Sequence, residues 1–443
     1  MVILRISANI FFIVFKQIQL SSMINYCNFD FLKLAKKSDS SLNLEKMEKV
    51  SSRIASLEES QTIAMSKKSR ELAAQGVDII SLSVGEPDFF TPDFVKEAAK
   101  KAIDENYSFY TPVAGYKELL EAICNKLKRE NDLDYKPDQI VVSGGAKHSL
   151  SNVLMSIVDK GDEVIVPAPY WVSYVELVKL AEGKSVVVNT TLENNYKITP
   201  EQLQNAITPK TRALLLCSPS NPTGSIYSYD ELKAIAEIVE KHPNIIVISD
   251  EIYEHINFVG KHQSIAQFES IHDRVVIING VSKGYAMTGW RIGFSASPKW
   301  IAKACEKLQG QQTSGVCSIA QRAAIAALNS DGEYTQQMRK AFQRRRDLMY
   351  EGFSSIPGFK LNKPDGAFYI FPDVSELFGK QFNGETINTS IDLAMYFLNQ
   401  AHVAVVPGSA FGSPNCIRLS YATSDDKLKE AIDRIRNAVS LLK

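Results

Sequence analysis

Four short segments of this 443-residue chain place reactive side chains directly after apolar runs. Ser218-Pro219-Ser220-Asn221-Pro222-Thr223-Gly224 follows one such run, and Ser249-Asp250-Glu251-Ile252-Tyr253 closes another. Ser282-Lys283-Gly284 follows a third, with Trp290-Arg291-Ile292-Gly293 just beyond. The lysine amine can condense with a carbonyl carbon, and a carboxylate can face a protonated ring nitrogen. Tyrosine and asparagine suit a phenolic oxygen, and an arginine near a serine suits a phosphate. Each residue type also has an ordinary role. Lysine is usually solvated, strand-end aspartate often caps a turn, and Asn-Pro is a turn signal by itself.

The surrounding pattern predicts how these groups meet. Apolar runs at Gln139–Ser143, Glu163–Val166, Ser185–Val188, Ala213–Cys217, Ile245–Ser249, Val275–Asn279 and Arg291–Ser295 read as strands. Several are apolar throughout, as expected where both faces are covered. Helical periods lie between some of them; in Ser228–His242, Leu232, Ile235 and Ile238 share a face. Alternation of this kind indicates an α/β domain with a mainly parallel sheet. In open α/β sheets ligands bind beyond the carboxyl ends of strands, so the four segments converge on one crevice. Past Pro298 the pattern turns helix-rich to about Gly352, and a smaller α+β section follows. Its closing helix starts at Ser424, has Asp425 and Asp426 in its first turn, and has an apolar face of Leu428, Ile432, Ile435 and Val439.

These are the groups that a pyridoxal ring requires of a protein. With Pro169-Tyr170-Trp171 and Arg418-Leu419-Ser420-Tyr421, the segments occur in a recognisable order. From about Ser60 onward the chain resembles a class I aminotransferase of the fold type I pyridoxal-phosphate superfamily, most similar to bacterial-type aspartate aminotransferases. The resemblance implies a large domain with a mainly parallel seven-stranded sheet flanked by helices, and a smaller α+β domain. Residues 1–46 would be an extension outside the fold, 47–95 an arm with part of the small domain, 96–335 the cofactor domain and 336–443 the small domain.

It also implies roles. Lys283 would hold pyridoxal 5′-phosphate as a Schiff base and, once freed, move the substrate's α-proton. Asp250 would keep the ring nitrogen protonated; Tyr253 and Asn221 would bind the phenolic oxygen; Trp171 would stack on the ring. Gly145, Ala146, Ser282 and Arg291 would hold the phosphate. Tyr110 would reach the phosphate of a neighbouring subunit, making the protein a homodimer with shared active sites. Arg418 would take the α-carboxylate, Gly85 would let backbone approach the substrate, and Lys147 would meet a distal carboxylate. Aspartate with 2-oxoglutarate is the expected pair; prephenate, aromatic or broader specificity, or a lyase of the same fold, are the alternatives. Ser60 and Thr62 align with hydroxyls of the entrance segment, where Glu58 and Glu59 would oppose a dicarboxylate if they faced the pocket.

Composition fits a cytoplasmic enzyme. Hydrophobic residues are 45% and charged residues 23%, and 50 basic residues balance 50 acidic ones. Zero formal charge supplies no global field for nucleic acid or an anionic membrane. The six cysteines are scattered without a CxxC pair, so neither a disulfide framework nor a metal site is expected. No GxGxxG fingerprint supports a dinucleotide enzyme. The segment before Ser51 is too short and apolar for a DNA-binding domain. The uncharged stretch between Arg5 and Lys16 is too short to span a bilayer, which takes ~20 residues. Met47 is the expected natural start.

Overall fold

Most strands of the large sheet are buried on both faces, whereas its edge strand Lys184–Asn189 is partly exposed. The computed structural model describes residues 50–58 and 61–443. The expectations for residues 1–46, for Met47, Glu59 and Ser60, and for the Thr62 side chain lie outside that description. Residues up to Ala55 form a separate unit, whose described part is one helical turn, Ser52–Ala55. The remainder, 56–443, is a second unit.

After a two-residue strand β1 (Ile80–Ser81), the large sheet uses β2 (Ile140–Ser143), β3 (Glu163–Ala168), β4 (Lys184–Asn189), β5 (Thr211–Cys217), β6 (Ile246–Asp250), β7 (Val275–Gly280) and β8 (Gly293–Ala296). Their order is β2-β8-β7-β6-β5-β3-β4. Strand β8 runs antiparallel to both neighbours, and every other pairing is parallel. Alternation within β5 shows why. Leu214 and Leu216 pack on one face with Leu119, Ile123 and Ile235, whereas Ala213 and Leu215 pack on the other with Leu150, Val153 and Ile301. Each buried Leu or Ile side chain contributes roughly 1.5–3 kcal/mol, so helices cover both faces. The expected seven-stranded α/β architecture is present.

One expected strand starts later than the sequence suggests. Arg291 is not in β8 but ends a short turn, Thr288–Trp290, in the left-handed conformation at φ 58°. That kink redirects its side chain away from the sheet. Gly293 then opens the strand against Ala146, where any Cβ would collide with the Ala146 nitrogen.

A second core gathers β9 (Tyr369–Ile370), Val406–Pro407 and Ile417–Ser420 in an antiparallel sheet, with helices Glu333–Ser354 and Asp425–Ser440 packed on it. Glu333–Ser354 runs unbroken through residues 335 and 336. The closing helix follows its sequence signals. Ser424 accepts from the Lys427 N–H, and Leu428, Ile432, Ile435 and Val439 are buried. Gly352 lets the two helices close, because a Cβ there would sit 2.5 Å from Ile432 Cδ1. Strand β1 pairs in parallel with Val403–Ala404 and so carries the following segment from this core toward the large sheet. Among the described residues, no helix is long and apolar enough to cross a membrane.

Candidate active site

The carboxyl ends of β5, β6 and β7 lie side by side, with Cys217 paired to Asp250 and Asp250 paired to Ile278. Whatever follows these strands therefore emerges at one edge. Beyond that edge is a cavity of about 410 Å³. Gly85, Ala146, Lys147, Trp171, Asn221, Asp250, Tyr253, Ser282, Lys283, Arg291 and Arg418 all line it, brought together from positions 85 to 418. Two expected residues do not. Gly145 lies just behind the wall, and Tyr110 is 98% exposed on the surface of the chain.

Asp250 is the last residue of β6 and is 4% exposed. Its carboxylate accepts from the Tyr174 hydroxyl at 2.7 Å and from the Ile252 N–H at 3.3 Å. Neither donor carries charge, and burial pushes the carboxyl up to about 6. Lys283 Nζ donates to the Gly85 carbonyl at 2.5 Å. Burial draws this amine down to about 8, opposed by nearby Glu86 and reinforced by Arg418 and Arg291. An amine in that range is far more available as a nucleophile or base than a surface lysine.

Arg418 enters from the small antiparallel sheet, where it pairs with Val406. It is 2% exposed and meets no carboxylate. Its Nη1 donates to Asn221 Oδ1 at 3.0 Å and its Nη2 to the Ser83 carbonyl at 2.8 Å, while Nε has no partner. The guanidinium also lies 4.5 Å from the Tyr369 ring centre. A buried arginine with an orphaned N–H and no counterion is prepared for an anionic ligand.

At the other end, Arg291 donates to the Thr288 carbonyl at 2.8 Å and the Gly144 carbonyl at 3.1 Å. Gly145, at φ 94°, leaves the space that its guanidinium occupies; a Cβ there would lie 2.3 Å from Nη2. The Gly145 N–H is given to Ser143 O at 2.7 Å. The helix Ala146–Ile157 begins at the next residue, with its N-terminal dipole toward the cavity. Lys147 Nζ sits 4.9 Å over the Trp171 ring, and burial lowers its pKa, with Arg291 adding to the effect. Four cationic side chains, Lys147, Lys283, Arg291 and Arg418, thus face two carboxylates, Glu86 and Asp250. The excess positive charge suits a phosphate and carboxylates.

These features also test the cofactor that the sequence implies. An unneutralised buried carboxylate suits a protonated ring nitrogen, the partly buried amine suits an aldehyde, and the space beside Gly145 and Arg291 suits a phosphate. The residues fit pyridoxal 5′-phosphate.

Among the lining residues that escaped the sequence reading are Tyr174, Tyr369 and Glu86. Tyr174 follows Trp171 by one helical turn, a spacing that could have revealed it. Tyr369, whose hydroxyl lies 2.8 Å from that of Tyr253, depends on tertiary register alone. Glu86 sits inside Gly85-Glu86-Pro87-Asp88, of which only Gly85 was expected at the site. Glu58 is turned away from the cavity: its N–H meets Glu176 at 2.9 Å and its carboxylate lies 3.9 Å from Lys179. Elsewhere, two carboxylate–imidazole groups cluster among the described residues, Glu130-Glu254-His255 and Glu251-Glu254-His262. Lys126 already bonds Glu254, and His262 lies 3.1 Å from Glu251.

Known proteins resemble this chain in sequence and fold. The family described as aminotransferase class I and II matches residues 77–435. A bifunctional aspartate aminotransferase and glutamate/aspartate-prephenate aminotransferase of Petunia hybrida is 47% identical over 399 residues, covering 89% of this chain and 83% of its own. An aspartate aminotransferase of Geobacillus stearothermophilus is 48% identical over 389 residues, 87% of this chain and 98% of its own. The solved aspartate aminotransferase of Rhizobium meliloti superposes with a TM-score of 0.87 at 42% identity, covering 89% of this chain and all of that one. The chain belongs to the class I and II aminotransferases.

Proposed function

We propose that this enzyme transfers the amino group of aspartate to 2-oxoglutarate by a ping-pong reaction, with Lys283 as its central base. The cofactor is pyridoxal 5′-phosphate. The observation that carries the reading is the meeting of Lys283, Asp250 and Arg418 in one cavity. When bound, the cofactor supplies an aldehyde that accepts amino groups and a cationic ring that draws off electron density.

The chain's own residues do the rest. Asp250, held by Tyr174, keeps a proton on the ring nitrogen; pairing with that cation offsets the cost of its own burial. Tyr253 and Asn221 orient the phenolic oxygen, and Trp171 covers the ring face. Arg291, Ser282 and the helix N-terminus at Ala146 anchor the phosphate, while Gly145 keeps room for Arg291. Arg418 grips the α-carboxylate through N–H groups that include the unpaired Nε. Lys147 answers the distal carboxylate, which favours a dicarboxylic substrate. Lys283 Nζ would take the proton from the substrate α-carbon and give it up again on the cofactor side; drawn down to about 8, it can both accept and release a proton near neutral pH.

In this reading, residues 96–335 form the cofactor domain and 336–443 the small domain. Tyr110 on its exposed loop completes the phosphate site of a second copy, so the working enzyme is a homodimer. The five described cysteines are free thiols, which supports a cytoplasmic setting. The test is direct. Lys283→Ala should abolish borohydride fixation of the cofactor, read by peptide mass, and lower kcat/KM for aspartate by at least ~10³-fold. Turnover of that variant at the wild-type rate refutes the mechanism, and equal rates with aspartate and leucine refute the substrate pair.

A further inference from the structure

Glu86 is the anomaly of this cavity. Of the two carboxylates in the wall, Asp250 is buried at a strand end, whereas Glu86 is exposed at the rim. Among the described residues, no lysine or arginine forms an ion pair with it. Its one hydrogen bond comes from the Thr288 hydroxyl, at 2.9 Å. The same Thr288 offers its carbonyl to Arg291, and the residue before Glu86 offers its carbonyl to Lys283. A negative charge without an ion-pair partner therefore stands near the lysine amine, at the rim of a cavity in which four cationic side chains outnumber the two carboxylates. Such a charge works against every anionic reactant unless one of them brings a cation of its own.

The two reactants of a transamination differ in that respect. An amino acid carries an ammonium beside its carboxylates; the corresponding 2-oxo acid carries only the carboxylates. Both must come within reach of the Lys283 side, where Glu86 stands. We propose that Glu86 is a specificity-determining residue that favours the amino-bearing reactant over its oxo-acid counterpart by attracting the α-ammonium and repelling the added net negative charge. The proposal rests on the aminotransferase reading above.

Glu86→Gln tests it, since the amide oxygen can still accept from Thr288 while the charge is gone. Single-turnover kinetics of the two half-reactions should show kcat/KM falling for aspartate and rising for 2-oxoglutarate. The ratio of the two should shift by roughly tenfold at low salt and by less at high salt. Maleate, a dicarboxylate without an amine, should bind the variant holoenzyme several-fold more tightly in an absorbance titration. Thr288→Val removes the hydrogen bond but leaves the charge, so it should move both half-reactions in the same direction. A Glu86→Gln ratio within twofold of wild type, both halves shifting together, or unchanged maleate affinity overturns the proposal. Absence of either half-reaction in the wild-type enzyme would instead refute the aminotransferase reading, and this proposal with it.

Discussion

Replacing Asp250 with asparagine should stabilise the cofactor-free protein while disabling the enzyme. Burial raises this carboxyl from 3.8 to about 6, opposed by two neutral donors and, more weakly, by the charge of Lys283. Between those values the native state binds more protons than the unfolded chain, so stability falls as pH rises through the interval. A shift of about two units corresponds to about 3 kcal/mol lost at pH 8, at about 1.4 kcal/mol per unit. Near pH 5 the native carboxyl is already mostly protonated, and the penalty shrinks to about half of that. An asparagine has no such titration and keeps an oxygen for the Tyr174 hydroxyl. Urea unfolding of stripped Asp250→Asn and wild-type protein, at equal concentration, should therefore show a gap of about 3 kcal/mol at pH 8 and about half of that at pH 5. The same variant should bind the cofactor more weakly, because the neutral amide cannot hold the ring nitrogen's proton. A variant no more stable than wild type at pH 8, or a gap equal at both pH values, would refute the assignment of Asp250 as a buried, uncompensated charge.

Other substitutions probe the remaining contacts. Arg418→Lys cannot reproduce the fork that reaches Asn221 and Ser83 together, and should lower kcat/KM for aspartate by about 10²-fold with the cofactor spectrum unchanged. Gly145→Ala forces a Cβ onto Arg291 and strains a φ of 94°; its melting midpoint should drop and its cofactor Kd should rise at least roughly tenfold. Tyr174→Phe strips Asp250 of its closer donor and should raise the cofactor Kd by about 3–10-fold, read by fluorescence titration.

The sheet was legible in the sequence because strands buried on both faces write long apolar runs, as in Ala213–Cys217 and Ile245–Ser249. The residues at their ends were legible for the same reason: an active group just past such a run has few places to go. Arg291 was misplaced because its left-handed kink leaves no hydrophobic trace, so an apolar run beginning at Ile292 drew the strand back too far. Tyr369 was invisible since its position is set by pairing between Tyr369–Ile370 and Leu419–Ser420, residues far apart in the chain. Glu86 was overlooked because glycine and proline on either side also mark a turn, and nothing in the segment itself says which of its two carboxylates, Glu86 or Asp88, faces the cavity.

Arg418 lies on the last strand before the closing helix, whereas Asp250 ends a strand of the sheet made earlier and Lys283 follows another of its strands. During synthesis at ~5–20 residues per second, the arginine follows the lysine by roughly 7–27 s. A nascent chain thus owns the nucleophile and the ring partner before it owns the carboxylate anchor. The group proposed to anchor the carboxylate is therefore the last of the three to be made.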